Sequence, residues 1–152
     1  NIVMLGLRDI DPPEMEFLNK LNIRYYTWQQ MATLGIQRCI DETLQYLSHL
    51  QNVHISFDID VMDPAHLPGV SVPVPGGLLE EEAFTLMHQL LTGLPVISCD
   101  IVEFNTSECD VYKNNLAYVN SYKKRIKDWG DSFIYIAHQA ELAYERIMGD
   151  AI

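Results

Sequence analysis

The sequence predicts an α/β fold built on a parallel sheet, and three observations carry that prediction. Apolar, strand-like runs alternate with segments whose apolar residues recur at helical spacing, the pattern of βαβ units. Three of those runs end in carboxylates: Asp9 and Asp11 after the first, Asp58 and Asp60 after the third, and Glu103 near the end of the fourth. In open α/β sheets the ligand crevice lies just beyond the carboxyl ends of the strands, so acids repeated there place a site at one sheet edge. Between the third and fourth runs lies a Pro/Gly-rich stretch, residues 62–77, too long for an ordinary connection and of the kind that carries function in compact domains.

Taken in order, Ile2 to Leu7 reads as a short buried strand, closed by the polar turn Arg8-Asp9-Ile10-Asp11-Pro12-Pro13. Pro13 and Glu14 suit a first helical turn, because proline loses no needed hydrogen bond there and an acid favours the positive end of the helix dipole. A short helix through Leu18 follows. Ile23 to Thr27 is a second strand, and Ile36, Ile40, Leu44 and Leu47 then recur at helical spacing up to about Leu50. The third strand is Val53 to Asp60. Pro64, Pro68, Pro73, Pro75 and the pair Gly76-Gly77 keep the next segment irregular. Leu79, Ala83, Leu86, Met87 and Leu90 mark an amphipathic helix, and Pro95 to Phe104 a fourth strand. From about Val111 to Met148 the pattern is helical, with a break near Trp129-Gly130-Asp131-Ser132.

A chain of 152 residues with 48% hydrophobic content can bury a sizeable core, and its length suits one domain. It opens at Asn1 and runs directly into Ile-Val-Met-Leu-Gly-Leu, so we expect a fragment of a longer domain. The formal charge of −11 argues against nucleic acid and anionic membrane surfaces, which demand clustered Lys and Arg, and it suits a small cationic substrate. Cys39, Cys99 and Cys109 are odd in number and form no C-x-x-C, which favours reduced, buried thiols and a cytoplasmic location. No apolar run approaches the roughly 18 residues of a membrane span.

The third strand carries the sharpest chemical signal. In a strand, side chains alternate with period two, so Asp58 and Asp60 would share a side, and two carboxylates that close repel unless a cation or a shared proton intervenes. A hard or borderline divalent metal is one reason to build such a pair. The plainer alternative is that one Asp caps the following turn while the other is solvated. The histidines add little: His54 starts its strand away from the acids, His66 has no second ligand at a metal-binding spacing, and His49, His88 and His138 lie alone on expected helices. The chain contains no P-loop, dinucleotide fingerprint or G-x-S-x-G elbow, and no cysteine has a base beside it.

Three ordered motifs then carry a family resemblance. Ser56-Phe57-Asp58-Ile59-Asp60-Val61-Met62-Asp63-Pro64, with Pro73-Val74-Pro75-Gly76-Gly77-Leu78 downstream, resembles the ureohydrolase signature S-F-D-x-D-x-x-D-P…P-x-x-G-G-L. Asp100-Ile101-Val102-Glu103-Phe104-Asn105 is similar to the family's D-x-x-E-x-N. The opening Gly6-Leu7-Arg8-Asp9-Ile10-Asp11-Pro12-Pro13-Glu14 resembles G-L-R-D-x-D-P-x-E, which points to arginases rather than agmatinases or formiminoglutamases.

The resemblance implies a three-layer α/β/α architecture with a mainly parallel sheet, of which residues 1–152 would be the C-terminal part of one domain. It also implies hydrolysis of L-arginine to L-ornithine and urea with two Mn²⁺ ions per complete site, in a homo-oligomer, trimer or hexamer. By the same resemblance, Asp58 and Asp60 would be metal ligands, and Glu103 would pair with the guanidinium as the catalytic-site acid. Asp11, and less directly Glu14, would hold the substrate's α-amino group. Several features depart from the family. The G-G-D-H-S and D-A-H-x-D segments that supply its other ligands, and a catalytic histidine from the same half, are not found here. Gly69-Val70-Ser71-Val72 stands where A-T-G-T or similar is usual, and Thr106 where proline is usual. Two alternatives stay open: a catalytically silent homologue acting as a binding or regulatory subunit, and an agmatinase- or formiminoglutamase-like hydrolase.

Overall fold

Two βαβ units make up most of what the structure, a computed structural model, describes, namely residues 1–67 and 70–103. The first runs from β1 (Val3–Leu7) through α1 (Pro12–Lys20) to β2 (Arg24–Thr27), with the strands parallel and Leu5 opposite Tyr26. The second runs from β3 (Val53–Asp58) through α4 (Glu80–Gly93) to β4 (Val96–Val102), again parallel. Two helices, α2 (Trp28–Leu34) and α3 (Ile36–Leu47), link the units. The α/β class and the parallel pairing follow the sequence expectation. The described strands form two separate pairs rather than one continuous ladder. β1 meets the turn that follows β3 instead of lying along β3, and a side chain at Gly6 would overlap Val61 there.

Local chemistry explains the boundaries. α1 begins at two prolines, and Glu14 reaches back to accept from the Asp11 backbone N–H at 3.1 Å. Thr27 and Gln30 form a reciprocal capping box at the start of α2: Thr27 Oγ1 accepts from Gln30 N at 3.2 Å, and Gln30 Oε1 from Thr27 N at 2.8 Å. The hydrophobic spacing did not predict this helix. α3 ends at Leu47, three residues earlier than the apolar spacing suggests. Three glutamates, Glu80 to Glu82, open α4 at the positive end of its dipole.

Burial follows the period-two pattern in β3. Val53 and Phe57 are buried and Ile55 partly so, all packed in the core with Cys39, Ile40 and Leu47 of α3 and Ala83, Leu86, Met87, Leu90 and Leu91 of α4. The opposite face carries His54 and Ser56, both exposed. Cys39 is buried as expected, but Cys99 is exposed on β4, so the expectation of uniformly buried thiols fails there. Cys109 and the expected C-terminal helices lie outside the described residues. Among those described, no helix is long and apolar enough to cross a membrane.

Candidate functional site

The third strand stops at Asp58, two residues short of the expected end. The Asp58 carboxylate accepts a hydrogen bond from the Asp60 backbone N–H at 3.0 Å and caps a single 3₁₀ turn, Ile59–Val61. A short acid that bonds the backbone two residues on competes with the strand ladder and ends it. Asp58 and Asp60 are therefore neighbours across a tight turn, not period-two partners along a strand. Between them Ile59, fully buried, anchors the turn in the core. The capping alternative is thus realised at Asp58, without removing the carboxylates from each other's reach.

That proximity leaves an electrostatic signature. Burial pushes the Asp60 carboxyl above the ordinary aspartate range, the Asp58 charge pushes it further, and Glu103 adds to the same effect. Arg8 works in the other direction, its guanidinium standing 3.9 Å from Asp60. The ladder register explains why Glu103 takes part. Asp58 pairs with Val102, so Glu103 leaves the end of β4 beside the carboxylate turn. The Glu103 backbone takes a positive φ of 61°, which ends the strand before the Phe104 expected to close it. The start is also one residue late: Pro95 has no N–H for the ladder, and its carbonyl instead accepts from Val53 N at 3.0 Å.

Other expected positions separate into roles. Asp63 is a structural acid: its Oδ1 accepts from Ala65 N at 2.8 Å, and its carbonyl accepts from His66 N and Leu67 N, both at 2.9 Å. His66 is exposed on that turn. Asp11 and Glu14 sit exposed beyond β1, bonded to one another at the start of α1. His54 has partners that its sequence position did not suggest. Its Nδ1 lies 2.8 Å from Ser98 Oγ and its Nε2 3.2 Å from Asp100 Oδ2, so it fastens β3 to β4. The pairing of His54 with Ser98 in the ladder is the signal for that contact, and it needs the register to be known. His88 stacks on Phe84 along α4. His138 and the Phe104-Asn105 end of the D-x-x-E-x-N segment lie outside the described residues.

Two carboxylates at a half-buried turn, with a third acid at the adjacent strand end, suit an oxygen-preferring divalent cation. Among the described residues no three His, Cys, Asp or Glu side chains gather tightly enough to hold a metal ion alone. The donors fit part of a metal site and need additional ligands to complete one.

Comparison with known proteins agrees with this geometry. The model of the Arginase family matches residues 1–117. The chain is 39% identical to Arginase-1 of Homo sapiens over 110 residues, which is 70% of this chain and 34% of that protein. It is 36% identical to the arginase of Bacillus subtilis over 105 residues, 69% of this chain and 36% of that protein. A crystal structure of arginase from Bacillus subtilis superposes with a TM-score of 0.69 at 34% identity, covering 74% of this chain and 40% of the other. The chain thus spans about a third of the length of the curated relatives it matches. With the family model covering most of its length, and Asp58, Asp60 and Glu103 together where β3 and β4 end, this chain belongs to the arginase family.

Proposed function

We propose that the full-length protein hydrolyses L-arginine to L-ornithine and urea in a manganese-dependent reaction. The observation that carries this reading is the Asp58–Asp60 turn with Glu103 beside it, in the order and spacing of the ureohydrolase motifs. Asp58 and Asp60 would hold Mn²⁺, which when bound lowers the pKa of a water and supplies a nucleophile near neutral pH. The chain's own residues do the rest. Glu103 accepts charge-assisted hydrogen bonds from the substrate guanidinium and orients its carbon toward the turn. Asp11, with Glu14 behind it, holds the α-ammonium group, so a substrate bearing both cations is fixed at two ends.

This division of roles gives a substrate test. Urea release should be fast from L-arginine and at least about tenfold slower from 5-guanidinopentanoate, which keeps the guanidinium but lacks the α-ammonium group that Asp11 would hold. Asp11→Ala should raise the KM for arginine while leaving manganese content unchanged. Equal turnover of agmatine would move the assignment to the agmatinase-like alternative. Stoichiometric manganese binding without urea from any guanidino substrate would favour the silent binding subunit. A homo-oligomer, trimeric or hexameric, belongs to the same proposal and is read from the solution mass.

A further inference from the structure

We propose that Arg8 is a positioning residue that staples the proline-rich segment over the carboxylate turn and sets the charge beside Asp60. The inference rests on reading that turn as the active site. Arg8 stands one residue beyond β1, and its side chain is only 6% exposed. Its Nη1 donates to the Val74 carbonyl at 2.7 Å, to the Gly76 carbonyl, and at 3.4 Å to the Met62 carbonyl. These acceptors come from both arms of the segment between β3 and α4. Backbone bonds already close its base, with Leu78 N donating to Val61 O and Asp63 N to Leu78 O, both at 3.0 Å. Arg8 therefore fixes what the base does not reach, the returning arm through Val74 and Gly76.

The glycine beside it confirms how tightly the guanidinium is packed. A Cβ at Gly77 would stand 2.7 Å from Arg8 Nη1 and 2.6 Å from Val61 O, and Gly77 has a φ of 120° that side chains rarely adopt. Three neutral carbonyls occupy Nη1, so the cation's charge is balanced by carboxylates, with Nη2 facing Asp60 at 3.9 Å. That distance is too long for a hydrogen bond. Arg8 thus relieves the Asp58–Asp60 repulsion without occupying a ligand oxygen of Asp60. Lysine could keep the charge but not the planar fork that serves two arms and a carboxylate together.

The test uses the full-length protein, with hydrogen exchange at Asp63 and Leu78, whose bonded amides close the segment beside Arg8, Mn²⁺ titration, and separate kcat and KM for arginine. Arg8→Met should speed exchange at those amides at least about tenfold, weaken Mn²⁺ binding by about 10–100-fold as loss of a ligand-supporting contact does, and lower kcat more than it raises KM. Arg8→Lys, which keeps the cation without the planar fork, should restore little of either, because a positive charge beside Asp60 opposes Mn²⁺ and only the fork positions the turn. Unchanged exchange in Arg8→Met, or equal loss of protection in α4, overturns the proposal, as does a Lys variant that recovers wild-type protection of the segment. Should the wild-type protein release no urea, the functional reading fails, while the exchange and Mn²⁺ arms still decide the role of Arg8.

Discussion

The units β1–α1–β2 and β3–α4–β4 share a parallel βαβ topology, yet their crossover helices are held in different ways. α4 buries Ala83, Leu86, Met87, Leu90 and Leu91, whereas no residue of α1 is buried, and Phe17 is 59% exposed. α1 depends on its terminal chemistry, two prolines and the Glu14 bond to Asp11, where α4 depends on apolar contact. The acids proposed to hold metal, Asp58 and Asp60, stand on the densely packed unit, and those proposed to hold the substrate's ammonium group, Asp11 and Glu14, stand on the exposed one. A metal site needs ligands held to a fraction of an ångström, while an ammonium ion tolerates a looser carboxylate. The difference in packing is thus the one the proposed roles would require.

The comparison breaks most directly at Leu91, which is 1% exposed. Leu91→Ala should cost about 2–5 kcal/mol of unfolding free energy, the range for truncating a buried leucine, measured by urea denaturation. A cost below about 1 kcal/mol would mean that α4 is not the rigid support described.

A smaller effect concerns the join between the units, where Tyr26 of β2 donates its hydroxyl to Glu42 of α3 at 2.6 Å. Burial pushes the Tyr26 phenol up to about 12, and the Glu42 carboxylate adds to the shift. The folded protein then holds this proton more tightly than the unfolded chain, whose phenol titrates near about 10. The resulting stabilisation is complete below about pH 10 and lost as pH rises through about 12. Melting temperature should fall across that window in the wild type and fall less in Tyr26→Phe; identical profiles would remove Tyr26 from the account. Least of all should Phe17→Ala matter, within about 0.5 kcal/mol, as for exposed positions without special contacts. A larger loss in the same denaturation experiment would show that α1 is packed after all.

Much of this arrangement is legible in the residues because local rules and the fold agree. The apolar alternation of Val53, Ile55 and Phe57 gives β3, and Pro12-Pro13-Glu14 gives the start of α1. α2 escaped the periodicity argument because it is short and buries Met31 alone, although the Thr27–Gln30 capping box marks its first turn. The strand end was misplaced by two residues because alternation cannot see a side chain turning back onto its own backbone, as Asp58 does. Of the candidate site, Asp58, Asp60 and Glu103 were found from strand ends and motifs. Arg8 was visible only as a motif letter, since its three carbonyl partners lie 54 to 68 positions away in the chain. The His54–Ser98–Asp100 contact likewise depends on register, which no single segment encodes.

The central claim, that the turn after β3 supplies ligands to a manganese hydrolase, is tested most directly by Asp58→Ala in the full-length protein, with bound manganese and urea release measured on the same preparation. We expect both to be lost together while α4 keeps its hydrogen-exchange protection. A variant that retains stoichiometric manganese and releases urea at the wild-type rate would contradict the account.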